Sequence, residues 1–128
     1  MRILLDTNIW LWMLREPERI GTSLRKHLKD AEELWLSPVS TWEALVLASK
    51  GRIRIDEAPE TWVEEATSPF REAPLTHRIV LESQSLSLPQ RDPADRFLAA
   101  TAKVLGLTLA TADTKLLGLG EIATLANR

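Results

Sequence analysis

Four acidic residues stand at positions from which their side chains can reach one site: Asp6, Glu43, Asp95 and Asp113. Carboxylates held a few ångströms apart repel one another, and this crowding raises some of their pKa values. A hard divalent cation neutralises such a cluster, and an all-oxygen site with open water positions suits Mg²⁺ or Mn²⁺. Such an ion activates a water molecule and stabilises the leaving oxygen of a phosphodiester. The residue types are therefore suited to phosphodiester hydrolysis.

Each acid also has a purely structural interpretation. Asp6 and Asp113 are placed to cap the helices that follow them, and Asp92 is foremost a helix cap. Asp95 lies in the first turn of the same predicted helix, where an acid favours the positive end of the helix dipole. Glu43 lies about 100° round its helix from an apolar stripe, so it can face solvent or a cleft. Together, the acids favour a shared site more than any one of them does alone.

The elements that must position these acids alternate between strands and helices. Short apolar runs predict strands at Arg2–Leu5, Glu33–Leu36, residues 107–110 and residues 121–125. Capping residues and helical spacing predict helices at residues 9–15, 22–31, 38–50, 59–67, 77–86 and 93–105, and a short one after Asp113. Thr7 and Asn8 are predicted to cap the first helix, and Gly51 and Gly106 to end two of the others.

This alternation predicts an α/β fold with a central, mostly parallel sheet of four to five strands that is flanked by helices on both faces. In such sheets, ligands bind beyond the carboxyl ends of the strands. Asp6 directly follows the first predicted strand, and Asp113 lies three residues beyond the third. Both acids should therefore lie at this edge. The length of 128 residues fits a single domain, residues 1–128.

Apolar spacing predicts which face of each helix is buried. The predicted inward residues are Leu24 and Leu28 in the second helix, Val39, Trp42, Val46 and Ser49 with Leu45 beside them in the third, and Phe97, Leu98, Thr101, Val104 and Leu105 in the last long one. Residues 9–14 are apolar around the whole helix. That segment is interpreted as core packing, or alternatively as a surface for a partner.

Composition excludes several classes of protein. Cysteine is absent, which rules out disulfides and thiolate metal sites and fits a cytoplasmic location. The apolar runs are too short for a signal peptide core or a membrane span. The formal charge is -2, and leaving out the four acids makes the balance mildly basic, so charge neither supports nor excludes a nucleic-acid partner. His27 and His77 are both predicted to be surface residues.

Four ordered motifs resemble those of a known family: Arg2-Ile-Leu-Leu-Asp-Thr-Asn8, Ser40-Thr-Trp-Glu43, Asp92-Pro-Ala-Asp-Arg96 and Thr111-Ala-Asp113. They look like the motifs of PIN-domain nucleases, and within these the chain is similar to the VapC-type toxins of bacterial toxin–antitoxin pairs. The resemblance spans essentially the whole chain. No single motif is specific, whereas all of them in the right order make a strong signal. It implies a three-layer PIN-like domain.

The resemblance also implies an activity, namely an endoribonuclease that depends on Mg²⁺ or Mn²⁺. Matched residue by residue, the metal-binding and catalytic acids fall on Asp6, Glu43, Asp95 and Asp113. Supporting polar residues fall on Asn8, Ser40, Asp92, Arg96 and Thr111, of which Arg96 is expected to pair with Asp95 or to touch phosphate. The implied partners are an RNA substrate, a cognate antitoxin and a second copy of the chain.

The third motif departs from the family pattern in two ways. Relatives often carry an aromatic residue at its centre, where this chain has Ala94. They often carry a histidine shortly before it, where this chain has Gln90 and Arg91. Neither change removes a metal ligand, although both can alter substrate choice or packing.

Other interpretations remain open at this point. A haloacid-dehalogenase phosphatase needs a second aspartate where this chain has Asn8, and the glycine-rich loops of NTPases and dinucleotide-binding domains are absent. The acid pattern of a response-regulator receiver is not visible either. A non-catalytic RNA- or protein-binding module of the same fold is the main alternative, and an interaction module built on residues 9–14 is a weaker one. Lys50, Arg52 and Arg54 form a basic cluster that is either a solvated helix end or an RNA contact.

Overall fold

The computed structural model describes residues 1–88 and 92–128. Within these residues the chain forms five strands: β1 (Arg2–Leu5), β2 (Glu33–Leu36), β3 (Arg71–Glu72), β4 (Thr108–Thr111) and β5 (Thr124–Ala126). They make one sheet in the order β3-β2-β1-β4-β5, and every neighbouring pair is parallel. The predicted parallel α/β sheet is confirmed, and β1 is its central strand.

The helices of the described residues are α1 (Thr7–Arg15), α2 (Thr22–Asp30), α3 (Pro38–Ser49), α4 (Pro59–Thr67), α5 (His77–Ser85), α6 (Pro93–Leu105) and α7 (Thr114–Leu117), with a short 3-10 helix at Pro17–Arg19. The predicted caps of two helices are confirmed, because the Ser37 hydroxyl accepts from the Val39 amide at 3.0 Å and the Asp92 carboxylate accepts from the Ala94 amide at 3.0 Å. Gly106 follows α6 in the left-handed conformation, with φ of 66°.

Two predicted element starts were wrong by two residues or more, and one strand was missed. The first helix begins at Thr7 rather than residue 9, because the Asp6 carboxylate caps it and leaves Thr7 helical. The last strand begins at Thr124 rather than residue 121. Strand β3 was not predicted, since it consists of two exposed charged residues and carries no apolar pattern.

The core lies on both faces of the sheet. Side chains of a strand alternate between faces, so Ile3 and Leu5 pack on one side of β1 and Leu4 on the other. The first side is covered by α1 to α4 through residues such as Leu24 and Ala44, and the second by α5 to α7. This arrangement is the expected three-layer domain. No helix in the described part of the chain is long and apolar enough to cross a membrane.

Helix α1 begins at the edge of the sheet where the carboxyl end of β1 lies, and its following residues pack in the core. Ile9, Trp10 and Leu11 are buried, which confirms core packing for that part of residues 9–14, whereas Leu14 is 43% exposed. The Trp10 indole donates to the Ala66 carbonyl at 3.1 Å, and its ring lies 5.6 Å from that of Trp62.

The predicted inward face of α3 was wrong for Trp42 and Ser49 and right for Val39, while Leu45 and Val46 are partly buried. Trp42 is 60% exposed, and the buried residues are Val39, Ser40 and Ala44. Apolar residues occur all around this helix, so its apolar spacing did not define the buried face. For α2 and α6 the prediction holds, because Leu24, Leu28, Leu98 and Thr101 are buried, with Phe97, Val104 and Leu105 partly so.

Gly106→Ala is expected to lower the free energy of unfolding by about 1–2 kcal/mol, because an L side chain is strained at positive φ. A Cβ at this position meets nothing within 4 Å, so the loss reports backbone strain alone. Urea denaturation measures it. The matched control is Gly120→Ala, which also meets nothing within 4 Å and lacks positive φ. An equal loss in the two variants would contradict the prediction.

Candidate functional site

A cleft of about 480 Å³ opens at the carboxyl ends of the central strands. The acids predicted from the sequence meet in it, together with Asp92; its lining residues are Asp6, Thr7, Asn8, Trp12, Glu43, Asp92, Asp95, Ala112 and Asp113. The predicted supporting residues Ser40, Thr111 and Arg96 do not line this cleft. Parallel strand order explains the convergence, because β1 and β4 are neighbours and Asp6 and Asp113 follow their carboxyl ends.

Asp6 is held at the junction of β1 and α1. It is only 8% exposed, and its backbone amide donates to the Ala110 carbonyl at 3.0 Å. One carboxylate oxygen accepts from the Thr7 amide at 2.8 Å, and the other accepts from the Thr111 hydroxyl at 2.6 Å. Burial raises the pKa of Asp6, the hydrogen bonds from Thr111 and Thr7 partly oppose this, and the charges of Asp113 and Asp92 add to it.

Thr111 lies buried behind Asp6 and joins two of the acids. Its hydroxyl donates to Asp6 and accepts from the Asp113 backbone amide at 3.0 Å. The Asp113 carboxylate in turn accepts from the Lys115 amide at 2.8 Å and caps α7. Thr111 therefore orients Asp6 and fixes the backbone of Asp113 without itself lining the cleft.

Glu43 faces the cleft from α3, one residue from exposed Trp42. Its carboxylate accepts a short hydrogen bond from the Thr7 hydroxyl, which also lies 2.8 Å from the Ser40 hydroxyl. A hydroxyl has one proton and an ionised carboxylate only accepts, so Thr7 donates to Glu43 and accepts from Ser40. Burial raises the pKa of Glu43, the Thr7 hydrogen bond opposes this, and the charges of Asp6 and Asp92 add to it.

Sequence reasoning missed Thr7 as a member of the site and treated it as a cap residue. Its place between Asp6 and Asn8 in the first motif was the available signal. The structure shows that its amide and its hydroxyl contact two different acids, Asp6 and Glu43. Thr7 thus links the start of α1 to α3.

Arg96 has a structural position outside the cleft. Its guanidinium donates to the Ser83 carbonyl at 2.7 and 3.1 Å and to the Leu88 carbonyl at 2.7 Å. These bonds tie α6 to the end of α5 and to the segment that follows it.

The structure also gives the positions of the other residues of the third motif and of the two histidines. Asp92 caps α6 and also lines the cleft, and Ala94 is buried. Gln90 and Arg91 lie outside the described residues. His27 is half-buried rather than on the surface, and His77 is exposed. Neither histidine lines the cleft.

The donor chemistry of the cleft fits a hard cation bound partly through water. Its ionisable side chains are all carboxylates, and the burial of Asp6 and Glu43 leaves negative charge that a cation would neutralise. Among the described residues, however, no three carboxylates or histidines lie close enough together to enclose a metal ion. Mg²⁺ keeps several water ligands and commonly binds only one or two carboxylates directly, so binding of this ion does not require a cluster of three.

Comparison with known proteins identifies the family. A family model of the PIN domain matches residues 3–122. Ribonuclease VapC22 of Mycobacterium tuberculosis is 30% identical over 116 residues, which cover 89% of this chain and 88% of that protein. The chain therefore belongs to the PIN-domain family, and its resemblance to VapC-type proteins is confirmed.

Solved structures show the same fold. One is VapBC2 from Rickettsia felis bound to a DNA fragment from its promoter, with a TM-score of 0.75, 17% identity and 98% of each chain covered. Another is DNA-bound VapBC from Salmonella typhimurium, with a TM-score of 0.75, 16% identity, and 100% of this chain and 99% of that chain covered.

Asp6→Asn is expected to raise the free energy of unfolding by about 1 kcal/mol at neutral pH in chelator, the size of many single stabilising substitutions. Burial raises the folded-state pKa of Asp6 above its unfolded value, so the ionised carboxylate destabilises the fold above the folded-state pKa. As the pH falls below the folded-state pKa, the wild-type carboxylate becomes protonated and the difference in stability shrinks. It should vanish near the unfolded-state pKa of about 4.

Urea denaturation of both proteins across this pH range measures the effect. Asp30→Asn, which alters an exposed acid of α2 outside the cleft, is the matched control and should leave stability within about 0.5 kcal/mol. An Asp6→Asn protein less stable than wild type at neutral pH would show that the bonds to Thr7 and Thr111 outweigh the burial of charge.

Proposed function

We propose that this chain is a divalent-metal-dependent endoribonuclease that hydrolyses RNA phosphodiester bonds and acts as the toxin of a toxin–antitoxin pair. The observation that carries the proposal is the meeting of Asp6, Glu43, Asp95 and Asp113 in one cleft of a PIN-domain chain. The similarity to a ribonuclease from Mycobacterium tuberculosis supports the reaction, and the likeness to VapBC structures supports the biological setting.

The acids of the cleft are assigned the binding of Mg²⁺ or Mn²⁺, directly or through water. When bound, the cation supplies water activation and neutralisation of phosphate charge. Asp6 is oriented for this role by Thr111, and Glu43 by Thr7. Asn8 and Asp92 complete the polar lining, and Ser40 supports Thr7 from behind.

The charge of the cleft argues for a metal if RNA is the substrate. A phosphate group is repelled by several carboxylates, so it enters this cleft favourably only when a cation has changed the local charge. Single-stranded or looped RNA fits the proposal better than duplex RNA, because its phosphates and bases are accessible from an open cleft.

We extend the proposal to protein partners, namely an antitoxin and a second copy of the chain. Large exposed apolar side chains include Trp42 at 60%, Leu81 at 74% and Leu75 at 39% exposure. An apolar hollow of about 310 Å³ lies between Trp42, Leu75 and Phe97. Apolar surface of this kind is typical of interaction sites. A toxin that cuts cellular RNA would act in the cytoplasm.

The second candidate is a non-catalytic RNA- or protein-binding module of the same fold. The spacing of the acids favours it, because the described residues hold no ready-made cluster of three metal ligands. Isothermal calorimetry with Mg²⁺ and Mn²⁺ separates the two proposals. Metal binding that weakens on Asp95→Asn and survives Asp30→Asn supports the nuclease, whereas no binding by the wild type supports the second candidate.

Cleavage of a mixed tRNA and ribosomal RNA pool is the direct test of the nuclease. Wild-type protein with Mg²⁺ or Mn²⁺ should cut the pool, and chelator should abolish cutting. Asp6→Asn and Glu43→Gln should each lower the initial rate by about 100-fold or more, because loss even of groups that only orient metal ligands costs 10–100-fold. Asp30→Asn should cut at the wild-type rate. Metal-dependent cleavage that persists in Asp6→Asn would overturn the assignment.

Thr111→Val is expected to lower the cleavage rate by about 10–100-fold, since it removes the hydroxyl that orients Asp6 and fixes Asp113. Thr111→Ser keeps the hydroxyl and should restore most of the rate. Rates should be compared at several Mn²⁺ concentrations, because a positioning role predicts weaker apparent metal affinity in the valine variant. Equal rates and equal metal dependence in the valine and serine variants would contradict this role.

A further inference from the structure

A second groove continues from the acidic cleft along α1. It has a volume of about 380 Å³ and is lined by Asn8, Leu11, Trp12, Arg15, Glu16, Leu47, Arg52 and Ile53. Asn8 and Trp12 line both the cleft and this groove, so the two form one continuous surface. We call the second part the α1 groove.

The two parts of this surface differ in charge. The cleft is lined by carboxylates, whereas the α1 groove has Arg15 and Arg52 on its walls. Its one acid, Glu16, accepts from the Arg19 guanidinium at 3.4 Å, so part of its charge is compensated locally. Positive charge thus begins where the acidic lining ends.

Trp12 lies at the junction of the two parts and is held in place. It is half-buried against the core, and the Arg19 guanidinium lies 4.1 Å from the centroid of its ring. This cation stabilises the orientation of the ring and covers one of its two faces, so a base would stack on the face that Arg19 does not cover. Stacking on an aromatic ring is the common way in which proteins bind an unpaired base, and it tolerates any base.

The basic wall of the groove is also supported by contacts within the protein. Arg15 donates to the Arg54 carbonyl at 2.8 Å and so fastens the segment after α3 to the end of α1. Arg15 and Arg52 both line the groove that this contact helps to form. Residues 8, 12 and 15 share a face of α1 and span about 10 Å along it, a stretch suited to an extended chain.

We propose that the α1 groove binds the single-stranded RNA segment next to the phosphate that is cut, with a base stacked at Trp12 and phosphates paired with Arg15 and Arg52. The proposal rests on the proposed ribonuclease function, because it assigns the path of the substrate of that same cleft. It also gives the basic cluster after α3 a function, in that Arg52 contacts RNA while Arg54 contributes its carbonyl to the support of Arg15.

The test measures RNA binding without cleavage. Fluorescence anisotropy in chelator, with a labelled single-stranded RNA of about 12 nucleotides, reports the affinity of each variant. Trp12→Leu should weaken binding by about tenfold, while Trp12→Phe should retain most of the affinity because it keeps a stacking face. Arg15→Gln and Arg52→Gln should each reduce the slope of log affinity against log salt by about 0.7, the value for one phosphate contact on a single strand.

Arg78→Gln removes an exposed arginine of α5 outside the groove and is the matched control, which should leave the salt slope unchanged. Thermal melting should confirm that each variant is folded. If Trp12→Leu does not fold, the test relies on Trp12→Phe and on the two arginine variants. Crosslinking of 4-thiouridine RNA to a peptide of α1 supports the proposal by an independent route. Unchanged affinity and salt slope in all three groove variants overturn it.

Two further outcomes separate this proposal from others. If the groove variants lose affinity for a polyglutamate peptide but not for RNA, the groove binds an acidic polypeptide and the proposal is wrong. If wild-type protein binds RNA through the groove but never cuts it with any metal, the groove assignment stands and the proposed nuclease activity fails.

Discussion

The Asp6 carboxylate is withdrawn from water where β1 passes into α1, and the surrounding structure is arranged to tolerate that buried charge. One oxygen accepts from the Thr7 amide at the start of α1, where the helix dipole also favours a negative group. The other accepts from the Thr111 hydroxyl. Because β1 is the central strand, this junction fixes the ends of β1 and β4 and the starts of α1 and α7 relative to one another. Displacing Asp6 would therefore disturb most of the cleft.

Helix caps and site residues turn out to be the same residues. Asp6, Asp92 and Asp113 each cap a helix, and all three line the cleft. The partial positive charges of three helix starts thus face the cleft and offset the repulsion among its carboxylates. Capping a helix and lining the cleft are therefore compatible roles for these acids. Burial nevertheless raises the pKa of Asp6, so the site retains a charge imbalance that suits a bound cation.

Charge changes sign along one continuous surface of the molecule. Acids line the cleft, and arginines line the α1 groove beyond Trp12. In the function that we propose, a near-neutral chain therefore presents a cation site and a phosphate-binding path side by side, and its net charge does not indicate either of them. Exposed Trp42 borders an apolar hollow with Leu75 and Phe97, and this is the surface we propose for protein partners.

The sequence by itself determined the alternation of strands and helices, the acids of the cleft and most helix ends, because apolar runs, capping residues and glycines act locally. It did not determine which face of α3 is buried, since apolar residues surround that helix and only packing against α1 and the sheet selects Ser40 and Ala44. Nor did it show Thr7 bridging to Glu43 or Arg96 turned towards backbone carbonyls. These contacts join residues far apart in the chain or buried together, and only the tertiary structure brings such groups within hydrogen-bonding distance.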